Sequence, residues 1–272
     1  MSGLVFTLKS APRFGVDCAE LTPVALAGKT LREIAALPLP GGESGLRVGD
    51  LFRISGKADG EALVLRDATS RLVGVGSGMT GGTLRVEGSL GEHAGRRMRA
   101  GTLWVAGNVG DGAACGMRGG LIEVGGSAGD YLGGPTPGDV SGMRGGTVLV
   151  VGSVGDRCGD RLRRGLIVVG KQAGDYCASQ MVAGTVLVRG SCGPGAGFGM
   201  RRGSLLIGQP LASPLAGFAL TGTYALPFLP LLLRHIAAFK PRWRNSLAAF
   251  DTVQRWVGDA GNGGLGEILL PG

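Results

Sequence analysis

One phrase recurs seven times between Gly82 and Gly208, and its regularity restricts the chain more than any other property. It runs glycine, a small or branched residue, apolar, variable, apolar, variable, glycine, two further residues, then glycine and an acid. Its first glycine falls at Gly82, Gly101, Gly120, Gly146, Gly165, Gly184 and Gly203, in steps of 19, 19, 26, 19, 19 and 19 residues. The long step is one period plus a 7-residue insertion in the loop-rich stretch Leu132 to Asp139. A fixed period near 20 residues is the mark of stacked structural repeats.

The columns within the phrase indicate the kind of repeat. Two residues after each anchor stand Leu84, Leu103, Ile122, Val148, Ile167, Val186 and Leu205, and four after stand Val86, Val105, Val124, Val150, Val169, Val188 and Ile207. Branched residues at period 2 describe a strand with one buried face. Met79, Met98, Met117, Met143, Leu162, Met181 and Met200, three before each anchor, read as an inward column from a second wall. Gly91, Gly110, Gly129, Gly155, Gly174 and Gly193 read as tight corners that need the backbone freedom of glycine. The implied fold is all-β, a right-handed parallel β-helix of seven or more 19-residue coils. At about 4.8 Å per coil, seven coils span about 34 Å.

Residues 1–45 are predicted to cap the first coil, residues 46–211 to form the stacked repeats, and residues 212–272 a Pro-rich, helical tail. Val5 to Leu8 reads as a strand. Thr30 to Glu33 matches a capping box ahead of an apolar face of Leu31, Ile34 and Leu37. Asp50 to Gly56 echoes the repeat phrase, and Ala62 to Val75 reads as a lead-in coil. After Gly208 the phrase stops. Helices are expected over Leu231 to Phe239 and Asn245 to Val257, with Arg242, Trp243 and Arg244 at the break between them, and Gly258 to Gly272 has no readable structure.

The chain holds 55 glycines and only 5% aromatic residues, but 44% hydrophobic content arranged in strict columns excludes disorder. Met1 to Thr7 does not read as a cleavable signal, and Tyr224 to Phe239 is too short and interrupted to span a bilayer. Five cysteines without a CxxC pair read as buried thiols in a cytoplasmic protein. Gly76 to Gly81 spells GxGxxG but runs into a strand rather than a helix, so no nucleotide site is implied. Two histidines, His93 and His235, fall short of the three ligands of a β-helical carbonic anhydrase. The acids Glu92, Asp111, Asp130, Asp156 and Asp175 form a column suited to bonding backbone amides. No catalytic set and no metal site is evident.

Two columns point towards function. Arg99, Arg118, Arg144, Arg163 and Arg201 stand two before their anchors, beside an inward column, and therefore face out. Stacked like charges repel, and with a net charge of +8 they suit an anionic ligand. The second column, three after the anchor, becomes wholly apolar at Leu149, Val168, Leu187 and Leu206. It requires cover, either from a partner or from the tail.

Gly74 to Met79 and the repeated Gly-Met-x-x-Gly phrases, such as Cys115 to Gly120 and Ser141 to Gly146, resemble the GXGXG domain. That domain occurs in the C subunit of formylmethanofuran dehydrogenase and at the C-terminal end of glutamate synthase. The likeness covers residues 46–208, and the chain layout is similar to the dehydrogenase C subunit and to its homologue in bacterial formyltransferase/hydrolase complexes. The resemblance implies a non-catalytic scaffold among other subunits. In the hydrolase complex a formyl group moves from tetrahydromethanopterin to a methanofuran-type carrier and is released as formate. In the dehydrogenase the parent enzyme carries tungsten or molybdenum. It implies no cofactor in this chain itself, a carrier with a glutamate-rich tail at the level of the complex, and neither nucleic acid nor membrane as partner. The five column arginines are the residues suited to such a tail. A sugar-active β-helical enzyme and a glutamate-synthase-like module are the other readings.

Overall fold

The computed structural model describes residues 3–41, 45–210, 216–239 and 250–272. Its main feature is one sheet of 13 strands, with a separate two-stranded pair. In the repeats the strands are β6 (Thr80–Gly88), β7 (Ala100–Val105), β8 (Leu121–Val124), β9 (Arg144–Val150), β10 (Arg164–Val169), β11 (Thr185–Val188) and β12 (Arg202–Ile207). Each pairs in parallel with the next in the same register, so that Leu84, Leu103, Ile122, Val148, Ile167, Val186 and Leu205 form one continuous column. All seven are fully buried, as are the residues of the methionine column. A second wall is stitched by parallel bridges running Val109, Ala128, Val154, Ala173 and Cys192. Burying one such aliphatic side chain contributes about 1.5–3 kcal/mol, and the repeat applies that gain at every level.

At the N-terminal end the stack is closed by β1 (Leu4–Leu8), β3 (Phe52–Ser55) and β4 (Ala62–Ala68). β4 pairs in parallel with β6 and is the lead-in strand expected there. β1 joins it in parallel, and β3 runs antiparallel to β1 at the edge. The segment that echoes the repeat at Asp50 to Gly56 therefore leaves the stack. The short strands β2 (Val16–Asp17) and β5 (Leu72–Val73) pair with each other, and the helical turns are α1 (Pro23–Leu26), α2 (Leu31–Ala36) and α3 (Val48–Leu51). Thr30 caps α2: its hydroxyl accepts from the Glu33 N–H at 3.2 Å, and the Glu33 carboxylate accepts from the Thr30 N–H at 2.7 Å. Of the apolar face only Ile34 is fully buried.

The C-terminal region departs from the helical tail expected of it. Among the described residues its one α-helix is α4 (Leu229–Phe239), whereas β13 (Ala219–Tyr224), β14 (Val253–Gly258) and β15 (Leu265–Pro271) are strands. β15 adds in parallel to β12, placing Ile268 beside Leu205, and β14 bridges β15 and β13 in antiparallel fashion. The helix expected to reach Val257 is replaced, from Val253 on, by a strand with partners on both sides; its earlier part, like Arg242, Trp243 and Arg244, lies outside the described residues. Non-local pairing overrides a local apolar spacing that also suits a helix.

This tail answers the question of cover. Leu149, Val168, Leu187 and Leu206 are all fully buried in a second core with Leu229, Leu233, Ile236, Phe250, Val253 and Leu269. The outward apolar column is covered by the chain itself.

The corner glycines differ from expectation in their reason. Gly129, Gly155, Gly174 and Gly193 do not have positive φ. A Cβ on each would collide with the carboxylate oxygen of the aspartate one level below. They permit close approach rather than a special turn.

Candidate functional site

The five column arginines stack as expected. The N–H of Arg99 donates to the Met79 carbonyl at 2.8 Å, Arg118 to Met98 at 2.8 Å, Arg144 to Met117 at 2.7 Å, Arg163 to Met143 at 2.9 Å and Arg201 to Met181 at 2.8 Å. Val182 takes the position between Arg163 and Arg201, donating to Leu162. Backbone ladder bonds thus hold all five in one column, four of them at successive levels and Arg201 beyond Val182, and all five side chains are exposed. Among the described residues none has a carboxylate within 4.0 Å. Four guanidinium groups at consecutive levels, Arg99 to Arg163, form a cationic strip without a close ion pair.

The acids of the corner column do not pair with it: none lies within 4.0 Å of these arginines, and three of them accept backbone N–H groups instead. The Asp130 N–H donates to Asp111, that of Asp156 to Asp130 and that of Asp175 to Asp156, each at 2.8 Å. This column is a structural staple between levels, as the turn chemistry of aspartate suggests.

A neighbouring corner carries a feature that the sequence reading missed. Eleven residues after their anchors, His93, Tyr131, Arg157 and Tyr176 have φ of 63°, 57°, 57° and 56°, with Gly112 and Gly195 at equivalent levels. The Arg157 guanidinium lies 5.0 Å from the Tyr176 ring centre and 5.9 Å from that of Tyr131. The column was visible as a register position, but its left-handed backbone was not. Beside it, the inserted loop is pinned to the repeats: Arg97 Nη2 donates to Thr136 Oγ1 and to Asp139 Oδ2, each at 3.0 Å, and the Thr136 hydroxyl also donates to Asp139. The loop and the corner border a solvent-open cavity of about 360 Å³.

The Thr136 hydroxyl, followed by Arg97, holds the Asp139 carboxyl below its ordinary range, with Arg144 adding to the effect. A lowered folded-state value means that the latch is intact above the ordinary aspartate range and is lost as pH falls through the lowered value. The Asp139 carboxyl carbon should therefore titrate below a free aspartate in NMR, and Thr136→Val should move it back up. An unchanged midpoint in that variant would remove Thr136 from the latch.

All five cysteines are buried and unbridged. Burial pushes the Cys18 and Cys115 thiols up to about 12, which keeps them protonated and inert. Gly76 and Gly78 lead into β6, not a helix. Among the described residues there is no group of three or more side chains placed to hold a metal ion, and no helix long and apolar enough to cross a membrane.

No family model matches the chain. A 78-residue segment is 39% identical to the C subunit of the formyltransferase/hydrolase complex Fhc of Methylorubrum extorquens, spanning 28% of this chain and 29% of that protein. A 99-residue segment is 29% identical to the C subunit of tungsten-containing formylmethanofuran dehydrogenase 2 of Methanothermobacter thermautotrophicus, spanning 35% of this chain and 37% of that one. These two matches thus cover less than two fifths of either relative. The structural likeness is end to end. A chain in the X-ray crystal structure of the formyltransferase/hydrolase complex from Methylorubrum extorquens, in complex with methylofuran, superimposes with a TM-score of 0.91 at 37% identity, over 98% of this chain and 99% of that chain. The chain belongs to the family of C subunits of formyltransferase/hydrolase complexes and formylmethanofuran dehydrogenases.

Proposed function

We propose that this protein is the non-catalytic C subunit of a cytoplasmic formyltransferase/hydrolase complex. The complex moves a formyl group from tetrahydromethanopterin to a methanofuran-type carrier and releases formate, with the chemistry on other subunits. The observation that carries this reading is the end-to-end likeness to a chain of the methylofuran-bound complex. Five unbridged cysteines accord with a reducing compartment. Within this reading the repeats, residues 46–211, are a right-handed parallel β-helix. Residues 1–45 cap its start, and residues 212–272 are a closing tail whose described residues mix strand and helix.

The strip of Arg99, Arg118, Arg144 and Arg163, with Arg201 beyond the gap, is the surface we assign to the carrier's glutamate-rich tail. A guanidinium is always charged, and its planar fork matches a carboxylate. Successive levels about 4.8 Å apart let an extended anionic chain meet several arginines with little rearrangement. One exposed pair contributes about 0.2–1 kcal/mol, so retention rests on several acting together. Changing Arg118, Arg144 and Arg163 together to Gln should release carrier from the purified complex. The loss should deepen as salt rises, and the thermal unfolding midpoint should stay the same. A triple variant that keeps its carrier as tightly as the parent in high salt would refute the tail site.

The dehydrogenase alternative is favoured by the match to the tungsten enzyme's C subunit. Metal analysis of the complex purified from its native host separates the two. Tungsten or molybdenum with iron would indicate the dehydrogenase, and co-purifying formyltransferase activity without them the hydrolase.

A further inference from the structure

The one insertion in an otherwise strict 19-residue period builds a cavity, and several independent features converge on it. Its volume, about 360 Å³, lies within the range of small-molecule sites. Pro135 and Pro137 from the insertion and Tyr131 from the corner supply ring-shaped walls. His93 lines the same space, with a left-handed backbone at φ 63° and a buried Nδ1 that has no hydrogen-bond partner. Its ring lies so close to Gly112 that a Cβ there would come within 2.5 Å of Nδ1. The left-handed backbone is shared by this corner at the other levels, but the orphaned buried Nδ1 belongs to His93 and carries a free-energy cost of its own.

The charges on the lining indicate the sign of an occupant. Arg161 is already engaged, its Nε donating to Gln180 at 2.9 Å and lying 3.8 Å from the buried Asp160. Asp139 is held by Thr136 and Arg97. Asp111 is different: one oxygen accepts from the Asp130 N–H, and among the described residues no cation lies within 4.0 Å. A carboxylate without a cationic partner, on the same lining as the Tyr131 ring, suits a cation rather than an anion.

We propose that this cavity binds a small ring-bearing amine, its ring against Tyr131 and the two prolines and its ammonium group against Asp111. The site is separate from the arginine strip and does not rest on the assignment of the carrier tail.

The test uses the full chain and three probes that share one ring: benzylamine, benzyl alcohol and benzoate. With only His93 and His235 present, the two imidazole proton signals are assigned through a His235→Gln variant. Benzylamine should shift the His93 signal to saturation, and benzyl alcohol should do so more weakly. Benzoate should leave it in place. Asp111→Asn keeps an oxygen for the Asp130 amide but removes the charge, and should weaken benzylamine binding about fivefold. A benzylamine titration that never saturates, benzoate binding as tightly as the amine, or an unchanged affinity in Asp111→Asn would each overturn the proposal. None of these outcomes bears on carrier retention by the arginine strip.

Discussion

Replacing Val168 and Leu187 together with Asp should detach the C-terminal layer from the sheet. Both side chains are fully buried in the second core, in adjacent rungs whose register brings them side by side. Two carboxylates there would be out of water, without a cationic partner, and next to each other. Each change alone removes a buried aliphatic contact and leaves a charge that must be neutralised or hydrated, and the pair should cost more than about 4 kcal/mol. The damage should be local at first. The inward columns face the opposite side, and stacked repeats are held mainly by nearest neighbours. Limited proteolysis should therefore cut within residues 216–272 while the segment from β4 to β12 resists, and thermal unfolding should lose its single transition. A double variant that melts as one unit at the parent temperature would show that the layer does not cover this face in solution.

The second large effect is expected at the anchor glycines, and Gly120→Val is the sharpest case. Gly120 has φ +89°, and a Cβ would lie 2.7 Å from the Gly101 carbonyl oxygen and 2.9 Å from Met98 Cε. The carbonyl belongs to the backbone of the level below and has no rotamer to yield. Left-handed strain alone costs about 1–2 kcal/mol, and overpacking against fixed backbone adds about 1–3 kcal/mol, so a total of about 2–5 kcal/mol is expected. Gly138→Ala is the control, since its φ is +85° but nothing lies within 4 Å of the added carbon. It should show only the strain, about 1–2 kcal/mol. Urea unfolding of the two variants measures the difference. Equal losses would mean that backbone conformation alone, and not the approach of neighbouring levels, demands glycine at the anchor.

The repeats were legible because their contacts are periodic. A residue in a stacked level meets the residue one period away, so Leu84, Leu103 and Ile122 announce their contact by equal spacing. The methionine column and the outward arginines follow from the same alternation. Contacts that do not repeat leave no such trace. Val253 to Val257 carries an apolar spacing compatible with a helix, and only the flanking partners β13 and β15 make it a strand. Gly258 to Gly272 looked featureless, yet it supplies Leu269 to the second core and Ile268 to the first. The corner glycines were visible as a column, but their reason lies in the aspartate one level below.

The chain's order of residues thus determined by itself the period, the inward and outward columns, the capping box at Thr30 and the position of the arginine strip. Each of these depends on spacing along the chain. The tertiary structure decided what covers Leu149, Val168, Leu187 and Leu206. It also decided that the amides bonded by the aspartates belong to the next level, and that the inserted loop folds back to make a cavity with His93 and Asp111. These outcomes join segments at unrelated separations, such as Arg97 with Asp139 or Leu206 with Leu269. Such pairings are selected by the shape and charge of surfaces that exist only after the repeats have stacked.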